Sequence, residues 1–225
     1  FFVAYKFMIM LIPLVLVFSL GLAMLVNSLP KYKDLFLVGY FLPYLASGVS
    51  TALIVKGFFS YNGFLNIWLR SKGITINWLG SPNLTPFIIS LMIAWKFSGY
   101  YTLILTSGLE SIPKEIYESA KIDGADGWTA FWKITIPMLY PALYSVIILS
   151  TGLVFGIFTE PYLLTKGGPN LNTHTWQLEI YSQAFERLNA GYGSAIAIIA
   201  AIVTFITIYI IRTLLEKWGE KYGWE

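Results

Sequence analysis

The chain has 225 residues, 56% of them hydrophobic and only 12% charged, where soluble domains run near a quarter charged, so it is built for a bilayer. A net charge of +3, with its fifteen Lys and Arg scattered rather than clustered on one face, excludes a nucleic-acid-binding protein. With no cysteine it has no disulfide framework, no thiolate metal site and no Cys nucleophile.

A helix needs about 20 apolar residues to cross the hydrocarbon core. The chain opens at Phe1, without Met or a signal peptide and close to an apolar run, and the expectation is a trimmed N-terminus. Residues 7–26 are the first uncharged run and 35–55 the second, joined by the tight basic turn at 28–34. Residues 60–83 are rich in Gly and Asn and carry Trp68 and Trp78, a composition suited to a membrane interface. The third run, 84–108, is interrupted only by Lys96; a charged segment, 109–137, follows it. The runs 138–159 and 188–211 are again uncharged, and between them lies the turn sequence Thr165-Lys166-Gly167-Gly168-Pro169-Asn170. A barrel would alternate apolar and polar residues in segments of about 10. Continuous runs instead predict five transmembrane helices, an all-α polytopic membrane bundle forming one domain over 1–225.

Five spans place alternate loops on the same side. Lys31, Lys33, Lys114, Lys121, Lys133, Arg212, Lys217 and Lys221 fall on one side, and Lys6, Lys56, Arg70, Lys72, Lys166 and Arg187 on the other. The positive-inside rule puts the 109–137 segment and the C-terminus in the cytoplasm. Pro13, Pro43, Pro86 and Pro141 lie inside or at the ends of the runs. Small residues recur at Ala46-Ser47-Gly48, Ser150-Thr151-Gly152 and 191–197. Both features suit a bundle lining a path, and ordinary close packing of helices explains most of them equally well.

The 109–137 segment reads as a polar elbow. Ser111 is placed to cap a helix with Pro113 in its first turn. Ile112, Ile116, Tyr117 and Ala120 share one face, and Lys114, Glu118 and Lys121 another. Gly124 suits a C-cap of positive φ, Asp126 caps a second helix, and Pro137 ends or bends it. The expectation is a helix of about three turns, a glycine corner and a second short helix. Glu115, Glu118, Asp123 and Asp126 argue against lying on an anionic leaflet and for docking into a groove on a soluble partner.

The order Glu118-x-Ala120, then Gly124, Ile134 and Pro137 resembles the EAA loop of ABC importer permeases, the MetI-like transmembrane domain family. Five such identities coincide by chance roughly once per million start positions. Ser119 stands for the usual second Ala and Ile136 for Leu. Ile122-Asp123-Gly124-Ala125 with Trp128 and Phe131, Leu164 to Pro169, Gly63 to Asn66, and Ala184-Phe185 with Gly191 to Ala195 are similar to the carbohydrate and glycerol-phosphate branch. The resemblance implies a non-catalytic permease subunit in the cytoplasmic membrane, carrying a sugar or glycerol phosphate. Glu118, Ser119, Ala120, Asp123, Gly124, Ile134 and Pro137 would couple it to a separate ATPase, with Glu118 pairing into a cleft of that partner. It also implies a second permease, usually a different chain, two ATPase copies that use ATP and Mg, and an external solute-binding protein that Thr165, Gly167, Gly168 and Pro169 would touch. Family members often carry one more N-terminal span.

No G-x-x-x-x-G-K-[ST] phosphate loop occurs, so ATP hydrolysis is expected in the partner. Neither H-E-x-x-H nor G-x-S-x-G occurs, and His174 is the only histidine, which excludes the common intramembrane hydrolase and zinc constellations. Lys96 is a candidate path-lining cation or a structural lysine paired within the complex, costing about 2.5–3.5 kcal/mol to insert. Glu160, before Pro161, either faces the path or marks the outer boundary, the boundary being the favoured reading. A secondary carrier would show internal repeats and more intramembrane ionisable residues. A non-transporting scaffold remains compatible with the residues alone.

Overall fold

The computed structural model describes residues 1–224, helical throughout its ordered elements, with no strand among the described residues. Helices α1 (Phe2–Asn27) and α2 (Lys33–Leu45) are followed by α3 (Gly48–Phe59), α4 (Phe64–Arg70) and the central α5 (Leu84–Glu110). At about 1.5 Å per residue α1 and α5 run near 40 Å, enough to cross a core of about 30 Å. On α1 the buried residues Phe7, Leu11, Val15, Ser19 and Ala23 recur every fourth position and form one stripe. That stripe packs against α5, where Thr102 donates a hydrogen bond to the Ser19 carbonyl at 3.3 Å. Lipid tails are as apolar as leucine, so shape fit and such interhelical bonds, rather than hydrophobicity, hold the pair. α2 crosses α5 at Gly99, where any Cβ would collide with the Tyr40 carbonyl.

Residues 35–55, expected as one span, form two helices bent by 94°. Ala46 and Ser47 are extended, and the Ser47 hydroxyl caps α3 by accepting from the Ser50 N–H at 3.1 Å. The fourth expected span, 138–159, is also interrupted: α9 covers only Tyr140–Phe155, after a 68° bend that separates it from the helix before. Pro141 sits in its first turn, where a missing N–H costs little. Beyond α9 the chain breaks at Ile157 and Phe158 before α10 (Thr159–Thr165). Carbonyls freed there are satisfied from a distance: Trp176 Nε1 donates to Phe155 O at 2.7 Å and Thr175 Oγ1 to Ile157 O at 2.9 Å. Three helices are long and apolar enough to cross a membrane, or five if each bent pair counts as one.

The final helix, α12 (Ala190–Glu220), outruns the expected 188–211 because its polar end stays helical, with Arg212 paired to Glu216 at 2.7 Å. Ile198, Ile202, Phe205 and Ile210 are at least half exposed along it, a face for lipid or another subunit. At one end of the bundle Lys6 donates to Asn172 Oδ1 at 3.1 Å and to Pro82 O at 3.5 Å, gathering the start of α1 with two loops. At the other end Lys33 pairs with Glu110, and Trp224 Nε1 donates to Pro137 O at 3.0 Å. The 28–34 turn, the elbow and the C-terminal tail therefore share one end, as alternating loops require.

Candidate functional site

The elbow opens with α6 (Lys114–Ile122), nine residues and so slightly shorter than expected. Ser111 is not its cap: its hydroxyl donates to the Gly108 carbonyl at 2.7 Å. Pro113, with ψ 136°, is itself the non-helical residue before the helix, which therefore starts at Lys114. Ile112 is buried, and Ile116, Tyr117 and Ala120 are half-buried on the inner face, while Glu118, Ser119 and Lys121 are exposed. The helix ends in a Schellman motif. Gly124 takes φ 82°, the Ala125 N–H donates to Ala120 O at 2.9 Å, and the Gly124 N–H donates to Lys121 O at 3.1 Å.

Asp126 then caps α7 (Gly127–Ala130), accepting from the Thr129 N–H at 2.8 Å. Its hydrogen bonds to Thr129 hold the Asp126 carboxyl below the usual carboxylate range. The chain continues through a π-helical turn, Phe131–Thr135, into the short α8 (Ile136–Met138) that contains Pro137. Tyr117 Oη and Thr135 Oγ1, 3.0 Å apart, clip the two arms together. Ala120, Asp123, Gly124 and Ile134 line one cavity of ≈ 390 Å³ in the corner. Glu118 and Ser119 face outward beside it, and Pro137 lies at the root.

Three side chains outside the expected coupling set shape this surface. Ile122 is 88% exposed, Trp128 70% and Trp132 53%, large apolar groups presented outward at the end of the molecule. Apolar residues at positions where an amphipathic pattern calls for polar ones are the signal that finds them.

The Thr165–Pro169 turn lies at the opposite end. Lys166 and Gly167 both have positive φ, and the Gly168–Pro169 peptide is cis. Thr173 Oγ1 donates to Gly168 O at 2.7 Å and fastens the turn. Gly167 is buried against His174, so the glycines shape the loop, while Lys166, Asn170 and Leu171 are its exposed residues. His174 Nε2 lies 2.6 Å from Glu179 Oε2, and bonds from Gln183 and then His174 hold the Glu179 carboxyl below its usual range. Among the described residues no group of three metal-ligating side chains occurs.

Lys96, on α5, lies near the start of α10: a Cβ on Gly48 would stand 3.0 Å from Thr159 Cγ2 and 3.7 Å from Lys96 Nζ, where α3 packs on α10. Glu160 is buried in the first turn of α10.

Residues 2–218 match the family described as binding-protein-dependent transport system inner membrane component. The sulfoquinovosyl glycerol transport permease of Agrobacterium fabrum is 34% identical over 90% of this chain and 68% of its own length. The lactose transport permease of Rhizobium radiobacter is 34% identical over 92% and 73%. The trehalose/maltose transport permease of Thermococcus litoralis is 30% identical over 93% and 72%. A bacterial ABC transporter that imports the acidic polysaccharide alginate superposes with a TM-score of 0.81 at 24% identity, over 96% of this chain and 79% of that one, a likeness of fold.

Proposed function

This chain belongs to the binding-protein-dependent transport inner membrane components, and on that premise we propose that it is one permease of an ATP-driven importer for a sugar. The cargo reading is supported by relatives named for sulfoquinovosyl glycerol, lactose and trehalose/maltose. The observation that carries the coupling reading is the elbow: a Schellman corner clipped by Tyr117 and Thr135, with Glu118, Ile122 and Trp128 turned outward.

In this reading the elbow faces the cytoplasm and seats in a cleft of a separate ATPase, Glu118 pairing with a cation there. The chain itself is non-catalytic, and two ATPase copies supply ATP and Mg chemistry. Their closure moves the elbow as a rigid piece, and the bundle, completed by a second permease, switches between outward and inward states. An external binding protein delivers the sugar, resting on the turn whose exposed residues are Lys166, Asn170 and Leu171. Ser119→Cys tests this, because the chain has no other cysteine. The substituted residue should crosslink to a soluble ATPase from the cytoplasmic side; labelling solely from outside would contradict it.

A further inference from the structure

The short helix α4 is built inside out. Asn66, its one uncharged polar residue, is 0% exposed, whereas Phe64, Ile67 and Trp68 are 63%, 62% and 53% exposed. Those three fall at i, i+3 and i+4, so one face of the helix is apolar and bare. The buried amide is fully used. Its Nδ2 donates to Tyr61 O at 3.1 Å and Ile76 O at 2.7 Å, and its Oδ1 accepts from the Ile76 N–H and from Trp78 Nε1, both at 3.2 Å. Asn66 thus pins the chain on both sides of α4 to the helix. Gly63 lets α4 turn back closely on α3, since a Cβ there would stand 2.6 Å from the Gly57 and Phe58 carbonyl oxygens. The bare face is therefore fixed by the fold. In water a helix buries its apolar residues and shows its amide, so this arrangement suits an apolar surrounding.

The segment lies at the end of the bundle opposite the elbow, because α5 begins just after it and runs to the elbow. Lys56, Arg70 and Lys72 are exposed there, and no Asp or Glu occurs between Asp34 and Glu110. Lys72 Nζ stands 4.0 Å from the Trp68 ring centroid and the Arg70 guanidinium 4.9 Å from that of Tyr61. Aromatic rings settle at headgroup level, and these two carry cations with them.

We propose that α4 lies in the headgroup layer of the adjoining leaflet and binds an anionic phospholipid. Phe64, Ile67 and Trp68 enter the acyl boundary, and Lys56 and Lys72 meet the headgroup phosphate. Arg70 donates to Tyr61 O at 2.9 Å and to Asn62 Oδ1 at 3.0 Å, so it holds the loop and adds to the positive field. The unbroken positive charge complements an anionic leaflet, whereas a face for a soluble partner is about as polar as the rest of a protein surface. The proposal needs the chain to span a membrane and depends on no particular cargo.

The test uses the full chain, free of cysteine apart from Ile67→Cys, labelled there with bimane and held in phosphatidylcholine nanodiscs. Trace doxyl-labelled phosphatidylglycerol should quench the bimane about fivefold more effectively than doxyl-labelled phosphatidylcholine, the effect of one cation near an anionic headgroup. Aqueous iodide should quench it little. Lys56→Gln with Lys72→Gln should lower the preference for phosphatidylglycerol by about half or more, with quenching by phosphatidylcholine unchanged. Should Ile67→Cys fail to fold, Phe64→Cys carries the label on the same face and should behave alike. Equal quenching by the two lipids, or an unchanged preference in the double variant, overturns the headgroup site. Quenching by neither lipid overturns the membrane placement; if iodide then reaches the label, α4 is a face for a soluble partner instead.

Discussion

Gly124 offers a test in which conformation and bulk predict opposite orders. Its φ of 82° lies in the left-handed region, and nothing lies within 4 Å of where a Cβ would stand. Replacement therefore brings no collision within this chain, only backbone strain. For an L-residue that strain is about 1–2 kcal/mol, which lowers the ratio of formed to unformed corners by roughly 5–30-fold relative to glycine. Asparagine enters the left-handed region more easily than alanine, and β-branched valine least easily. Initial rates of ATP-driven uptake should fall in the order Gly, Asn, Ala, Val, and crosslinking from Ser119→Cys to the ATPase should fall in parallel. If a tight partner groove were what demanded glycine, the smaller alanine would outperform asparagine. That order, or wild-type uptake with valine, would refute the corner as the reason for the glycine.

Glu118→Lys should abolish coupled uptake while membrane insertion, measured by fractionation, stays intact; normal uptake would end the coupling role. Gly99→Val forces a side chain into the Tyr40 carbonyl and should cost about 1–3 kcal/mol or more, read as a lower Tm of the detergent-solubilised protein; an unchanged Tm would mean that α2 and α5 do not touch there. The Asp126 cap should depend on pH. Hydrogen bonds to Thr129 depress its folded pKa, so the cap stabilises fully above the ordinary carboxylate pKa and is lost as pH falls through the depressed value. Exchange of the Thr129 amide should accelerate over that acid range in wild type and show no such step in Asp126→Ala. Tyr140→Phe removes a 2.9 Å bond to Leu215 O and should lower stability by about 1 kcal/mol, loosening the C-terminal end of α12 in hydrogen exchange.

Legibility in the sequence followed how local each determinant is. Long apolar runs were sufficient for α1 and α5, because a helix of that length satisfies its own backbone in lipid. Gly124 and Asp126 were readable since a C-cap and an N-cap depend on residues within one turn. Ser111 does not cap the elbow because it closes α5 with right-handed helical backbone, and Pro113 takes the cap position instead. The breaks in the second and fourth runs were hidden for another reason. Ala46-Ser47-Gly48 reads equally as close packing or as a capped bend, and hydropathy carries no direction. The groups that satisfy the second break, Thr175 and Trp176, come from a different part of the chain. The approach of Lys96 to the start of α10 is likewise tertiary, set by α3 packing on α10. The outward Ile122, Trp128 and Trp132 became a surface only once the corner fixed their directions.

The most direct measurement is co-purification of the chain from its native membranes in mild detergent, with every accompanying protein identified by mass spectrometry. The account predicts a P-loop ATPase and a second permease in a stable complex, with the ATPase lost from Glu118→Lys preparations. A chain that purifies alone or only with copies of itself would contradict the importer reading.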